Sequence, residues 1–429
     1  MPYDSLTRRR LLQAFGALAA GATVAGCAGP GSSSNDKPSG IDTTGPVEGD
    51  LSFAHWRAED KKAFADIIDA FTKANSKVSV RQDISPSYDY QSKALQQIRG
   101  GNVGDVFVAF RGAQFVDMVG AGLYADLSKQ PWAENYDQEL AAPGKHDGEL
   151  LGFPYQYVFN MPVYNVNLLQ KAGYEEPPTD WDGFLAMCRK LKAQGVTPIA
   201  WPGGEPGNAG HLLNSMVMNN APSDDMFAKM EAGDYKATDD WYVHTLEQYA
   251  QLRPYFQKNA TGTQVEPAEQ MFVDEKAAML ATGSFHIIAL RAVGAKFPMD
   301  CLAPITVAEK DAKYQGIHNA TFILGVNTKS DNTPAAVKFL EYLSDPKVAV
   351  KYADATVQHS TIKGVEYTNK DLKALEPWLE KKTMLAPRFQ FVDLDIAAAV
   401  ENAAIEVVGG KDPEKAAQAA EKIADQRRK

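Results

Sequence analysis

From Asp50 onward the chain alternates short apolar runs with amphipathic stripes, and this limits the folds open to it more than any other feature. Leu51 to Trp56 reads as a strand. Phe64, Ile67, Ile68 and Phe71 then fall at i, i+3, i+4 and i+7, the stripe of one helix face. Val78 to Val80 is a second strand, and Leu95 and Ile98 lie on a helix stopped by Gly100-Gly101. Asp105 to Ala109 is a third strand, followed by a helix opened by Phe115 to Val119 and ended by Gly120. This β-α-β-α order implies a largely parallel sheet with helices on both faces. In open sheets of this kind ligands bind beyond the carboxyl ends of strands, which singles out His55, Trp56, Phe110 and Arg111. Either aromatic would equally well cap its helix layer. Tyr88-Asp89-Tyr90, after the second strand, reads as a turn-rich aromatic and acidic cluster, suited to a ligand loop or a solvated one.

The middle of the chain has helical patterns at Trp181 to Leu191, Trp241 to Leu252 and Phe285 to Val293. Between them lie short strands at Thr197 to Ala200, Ala277 to Ala281 and Cys301 to Pro304. Thr321 to Val326 is a further strand, followed by a helix over Pro334 to Leu343 and then mostly helix to the end. No internal repeat is visible. Two α/β zones in 429 residues imply two lobes rather than one large core.

The N-terminus has a different character. Thr7 to Gln13, with Arg8, Arg9 and Arg10, leads into an apolar run ending at Val24, shorter than the roughly 20 residues a membrane-spanning helix needs. This is the pattern of a cleavable export signal over residues 1–26. The arginines before Leu11-Leu12 resemble a twin-arginine signal and also suit an ordinary Sec signal. Val24-Ala25-Gly26-Cys27 resembles a bacterial lipobox, which marks Cys27 for lipidation. Residues 27–49, rich in Gly, Ser, Pro, Asp and Thr, cannot build a core and form a flexible tether. Its root-mean-square reach is about 25 Å. Multiple acyl chains would anchor it to the outer face of the cytoplasmic membrane, since a single chain holds only marginally.

Charge narrows the partners. The whole chain carries −10, and the segment to Gly26 holds three arginines and Asp4, a net +2, so the mature chain carries −12. An acidic body argues against nucleic acid. The seven histidines are scattered without metal-ligand spacing, and no Gly-x-Ser-x-Gly or phosphate-loop motif occurs, so no metal, cofactor or catalytic nucleophile is expected. Apart from Cys27 only Cys188 and Cys301 remain, either bridged or as two buried thiols.

Several blocks then carry a resemblance. Gly104-Asp105-Val106-Phe107, Gly122 to Ser128, Asp147 to Pro154, Tyr164 to Leu169 with Pro177-Pro178-Thr179 and Trp181 to Phe184, and Phe272 to Met279 with Gly283-Ser284-Phe285 follow one another at characteristic spacings. In this order they resemble the family 1 extracellular solute-binding proteins of sugar ABC importers, the maltose-binding-protein-like group. The resemblance runs from about Leu51 to the C-terminus. It implies an α/β, two-lobed periplasmic-binding-protein-like fold, hinged, with the ligand cleft between lobes. One lobe would comprise residues 51–159 and 322–367, the other 160–321 and 368–429. It also implies a monomeric, non-enzymatic receptor that captures a carbohydrate and delivers it to permease subunits.

Sugar sites combine aromatic platforms with polar side chains. The resemblance places the Trp201-to-Asn208 loop, with Trp201 and Glu205, at the cleft, although a tryptophan there would also anchor its loop. Phe285 stands where relatives often carry a stacking tryptophan. Tyr155 and Gln156 lie near the implied first crossing between lobes and Asn319 at the second, where hinge packing is the plainer role. Phe389 lies in a late segment that reaches the cleft in relatives. A secreted glycoside hydrolase, with two carboxylates about 5–9.5 Å apart, would also present aromatics and acids to a sugar. A receptor of this fold for a non-sugar solute is the other alternative. Which sugar would bind stays open at this stage.

Overall fold

The protein is described by a computed structural model covering residues 43–101 and 103–429. The export signal, Cys27 and the tether as far as residue 42 lie outside the described residues. The strands are β1 (Gly49–His55), β2 (Val78–Ile84), β3 (Val106–Ala109), β4 (Lys145–His146), β5 (Glu149–Leu150), β6 (Phe153–Phe159), β7 (Val163–Asn165), β8 (Thr197–Ala200), β9 (Ala277–Leu280), β10 (Met299–Cys301), β11 (Gly316–Val326), β12 (His359–Ser360) and β13 (Thr383–Leu385).

β12, β6, β11, β3, β1 and β2 form one sheet in that order, with β13 also pairing β11; β10, β7, β9 and β8 form a second. β1 runs parallel to β2 and β3, as the alternation implies, but β11 runs antiparallel to both β3 and β6. The first sheet is therefore mixed rather than largely parallel. β11 returns to it only after the chain has built the second sheet, and so enters from the opposite direction.

Each sheet has its own core. Phe53, Phe64, Phe107, Tyr124, Leu324 and Phe339 belong to one; Phe184, Trp201, Tyr242, Met279, Leu290 and Val400 belong to the other. Two strands pass between them. On β6, Phe153 and Tyr155 pack in the first core while Tyr157 and Phe159 pack in the second; on β11, Ile317 packs in the second and Phe322 to Val326 in the first, Gly325 excepted. Phe322 has φ +56°, and the pairing of β11 with β6 skips it between Thr321 and Ile323. A bulky residue at positive φ is strained and persists only where its surroundings hold it. Here the ring lies 5.0 Å from Trp56 and 5.7 Å, stacked, from Phe64.

Three local readings change. Tyr88 to Tyr90 lie not in a turn but in the helix Ser87–Arg99, because Tyr90 is buried and its hydroxyl donates to the Val108 carbonyl at 2.7 Å, tying the helix to β3. Phe285 to Val293 divide into a 3₁₀ turn, Ser284–His286, and the helix Ile287–Ala292. The strand expected at Cys301 to Pro304 lies at Met299–Cys301. Cys188 and Cys301 are both buried and free. The helices Leu394–Val408 and Pro413–Arg427 close the second core, the first capped by the Asp393 carboxylate, which accepts from the Asp395 and Ile396 amides. Among the described residues no helix is long and apolar enough to cross a membrane.

Candidate ligand site

The carboxyl ends of β1 and β3 bring two aromatic rings together. Trp56 and Phe110 stack with centroids 3.7 Å apart and planes 17° apart. Arg111 follows, its side chain directed away from its own core: Nη2 donates to the Ala386 carbonyl, and the guanidinium lies 5.3 Å from the centre of the Phe389 ring. Ala386 belongs to the second core and Phe389 packs on it, so the two bodies touch here. Gly112 permits the approach. It has φ +85°, and a Cβ at this position would lie 2.5 Å from the Phe389 carbonyl oxygen. Arg111 is 8 % exposed, and its Nη1 has no partner among the described residues; burial pushes its pKa down to about 9.

Polar groups line the passing strands. His318, on β11, stacks on Tyr157 at 5.2 Å, and its Nδ1 lies 2.8 Å from the Thr383 hydroxyl. Burial, with Arg111 nearby, lowers its pKa to about 4. Asn319 beside it is buried, and its Oδ1 has no partner among the described residues. At the end of β6 the Asn160 amide nitrogen lies 3.0 Å from His211 Nδ1, while its Oδ1 is unpaired. His211 sits 5.1 Å from the Phe285 ring; burial, with Arg388 and His286 adding to it, holds the imidazole neutral. The Thr282 hydroxyl and both polar atoms of Gln358 are likewise buried without partners among the described residues. Almost all buried polar groups are hydrogen-bonded, and each exception costs about 1–3 kcal/mol. Orphaned donors and acceptors of this kind are what a hydroxyl-bearing ligand would satisfy; such atoms also occur on Tyr155, Asn214, Ser215, Trp241, Tyr249 and Thr306.

The structure thus brings together Trp56, Phe110, Arg111 and Phe389 on one side, and Phe285 with Asn160 and His211 on the other. Asn319 lies on β11, paired opposite Val158. Other predicted contacts lie elsewhere. His55 shares the Phe53 face of β1, because side chains two apart in a strand point the same way. It is fully buried among Phe53, Phe64 and Phe322, Nε2 lies 3.1 Å from Gln82 Oε1, and burial lowers its pKa to about 4. Trp201 is 0 % exposed, stacks on Phe256, and donates its indole N–H to the Ala209 carbonyl at 3.2 Å. Both side chains are buried and packed within a core. Glu205 accepts from the Val265 amide at 2.8 Å and from Asn208, tying its loop to the helix Val265–Val273. Asp89 pairs with Lys93 one helical turn on. For Tyr88 the described structure covers only the helix backbone.

Tyr155 and Gln156 belong to an inner arrangement that sequence reasoning missed. Arg57 donates from Nε and Nη2 to Asp60 at 2.7 and 3.0 Å and lies 3.1 Å from Glu59. Burial opposes its charge, but Asp60 and Glu59 more than offset this and raise its pKa. The Tyr352 hydroxyl donates to Asp60, and the Gln156 amide donates to that hydroxyl. Tyr155 packs its ring 4.9 Å from Tyr352. Asn160, at the end of the Phe153 to Phe159 run, and Arg388, next to Phe389, were also missed; their neighbours in sequence offered the only signal.

A polar depression of about 410 Å³ opens towards the amino ends of β1, β2 and β3, by Asp50, Arg81, Asp105 and Asn332. Its groups satisfy one another: Asp105 accepts from the Ser52 amide and Ser330, and Arg81 pairs with Asp83.

Two mixed sheets with separate cores, joined by strands that pass from one to the other and flanked by an aromatic and polar site, define a solute-binding protein of the two-lobed type. The chain belongs to the bacterial extracellular solute-binding protein family, whose family model matches residues 56–350. It is 23 % identical over 335 residues to the multiple sugar-binding protein of Streptococcus mutans, covering 76 % of this chain and 78 % of that one. It is 28 % identical over 159 residues to a probable sugar-binding periplasmic protein of Brucella suis, but only 37 % of each chain is covered. Among solved structures, the raffinose complex of the solute-binding protein RafE superposes with a TM-score of 0.77 at 17 % identity, covering 89 % of this chain and all of that one. A protein described as a sugar transporter of Bacillus licheniformis, in complex with stachyose, gives 0.72 at 20 % identity, covering 89 % and 100 %.

Proposed function

We propose that this protein is an extracytoplasmic, lipid-anchored receptor that captures a sugar or oligosaccharide and delivers it to the permease of an ABC importer. It acts as a monomer and not as an enzyme. Its lobes are residues 51–159 with 322–367 and residues 160–321 with 368–429, and Cys27 carries the lipid. The names of its relatives support a carbohydrate ligand. The observation that carries the reading is the set of buried, unpaired polar atoms on Arg111, Asn160 and Asn319, beside the Trp56–Phe110 stack and Phe285. Aromatic faces suit the apolar faces of pyranose rings, and orphaned donors and acceptors suit their hydroxyls. A thermal-shift screen against mono- and oligosaccharides tests it, since a ligand at 100 times its dissociation constant adds about 2.7 kcal/mol. A binding sugar that is returned intact supports the receptor; cleavage of that sugar would make the protein a hydrolase. If a panel of sugars gives no shift while a non-sugar solute does, the carbohydrate reading fails.

A further inference from the structure

Arg111 differs from the other deeply placed arginines. Arg57, Arg291, Arg388 and Arg428 all have side chains no more than 16 % exposed, and each pairs with a carboxylate: Asp60, Asp371, Glu401 and Glu421 respectively. Arg253, half-buried, caps the carbonyls of Val407 and Lys411 at the end of a helix, where a cation is favoured. Arg111 is as buried as these, and among the described residues it has no acidic partner. Among the described residues one backbone carbonyl and the face of Phe389 are its only compensation, and Nη1 is left without a partner. Burying a charge without a counter-charge costs several kcal/mol. A neutral hydroxyl would satisfy Nη1 but would leave the charge uncompensated.

We infer that the captured sugar is acidic, and that its carboxylate, as in a uronic acid, pairs with Arg111. This rests on the carbohydrate-receptor reading and deepens it. The charge count of the surroundings selects a single negative charge. Arg388, also over the Phe389 ring at 5.4 Å, is already neutralised by Glu401, and His211 and His318 are held neutral by burial. One guanidinium is therefore left without a counter-charge among the described residues, which matches a carboxylate; a doubly charged phosphate monoester would leave one charge unmatched. The planar fork of arginine also matches carboxylate geometry.

Calorimetric titration of the protein with matched pairs tests the inference: galacturonate against galactose, digalacturonate against galactobiose, and glucuronic-acid-substituted xylotriose against xylotriose. A charge-assisted hydrogen bond predicts that in at least one pair the acidic member binds about 10-fold to 100-fold more tightly. In Arg111→Met the ratio of acidic to neutral affinity should fall to near one, and in Arg111→Lys it should be intermediate, because the charge remains and the fork is lost. A merely structural role would lower both affinities together and leave the ratio unchanged. Binding of neutral members alone, or a ratio that survives Arg111→Met, overturns the inference and leaves the carbohydrate-receptor reading intact. Silence from both members of every pair counts against that reading and removes the inference with it.

Discussion

Arg57 and Arg111 follow neighbouring strands of one sheet, β1 and β3, and both are buried. The surroundings of Arg57 are complete: Asp60 takes two of its hydrogen bonds, Glu59 stands by, and Tyr352 and Gln156 close the network. The surroundings of Arg111 are not, since a guanidinium nitrogen is orphaned against an aromatic ring of the other body. The difference separates two uses of buried charge. A satisfied network holds one corner of the sheet in a fixed geometry, whereas an unsatisfied group stores a cost that a ligand can relieve.

The largest effects should come from breaking what is complete. Asp60→Ala leaves Arg57 with only the half-exposed Glu59 and takes the acceptor from Tyr352, and should cost about 3–5 kcal/mol, read by urea unfolding; a loss below about 1 kcal/mol would mean that the network is not integral to the fold. Trp201→Ala removes a core indole and should also cost about 3–5 kcal/mol. Once folded, this variant should keep near-normal ligand affinity in calorimetric titration, and a selective loss of affinity with an unchanged melting point would return Trp201 to the site.

Acid acts on a third feature. His55, His318 and His359 each have pKa values lowered to about 4 in the folded protein, against 6.5 ordinarily, chiefly because burial disfavours the imidazolium. The unfolded chain then binds more protons between these values. Stability is fully present above about 6.5 and is lost as pH falls toward 4. Melting curves from pH 7 to 4 should show this decline, and His55→Phe, which suits its aromatic surroundings, should lessen it. An equal decline in the variant would remove His55 as a contributor.

Smaller effects belong to the incomplete corner. Gly112→Ala should hold the two bodies apart at Phe389, enlarge the radius of gyration of the liganded protein in solution scattering, and weaken binding by about 10-fold, as about 1.4 kcal/mol of strain would. An unchanged scattering curve and affinity would show that the contact is unimportant to closure. Arg111→Met should change the stability of the unliganded protein least, or raise it, because it deletes an uncompensated charge. A fall of 2 kcal/mol or more, on the order of a lost buried pair, would mean that Arg111 already has its partner.

Much of this fold was legible because periodicity reports local geometry. The i, i+3, i+4, i+7 stripe at Phe64 to Phe71 corresponds to the helix Lys61–Ala74, and the apolar runs before His55 and Ala109 correspond to β1 and β3. The direction of β11 was not legible, since it depends on where the chain has been in between. In the candidate site, strand-end geometry pointed to Trp56 and Phe110, whose rings stack on one another. The period of two also contained the reason why His55 turns inward with Phe53. Trp201 misled because a loop position after a strand does not reveal that its indole folds back under Ala209. Asn160 and Asn319 become distinctive only when their orphaned oxygens are seen, and hydrogen-bond satisfaction is a property of three dimensions.

The most direct measurement is a crystal structure of the protein with the sugar that gives the largest thermal shift. The ring should lie against Trp56 or Phe285, with hydroxyls within hydrogen-bond distance of Asn160 and Asn319 Oδ1 and a carboxylate on Arg111 Nη1. Density for the sugar anywhere else on the protein, with those atoms still unpaired, would contradict this placement.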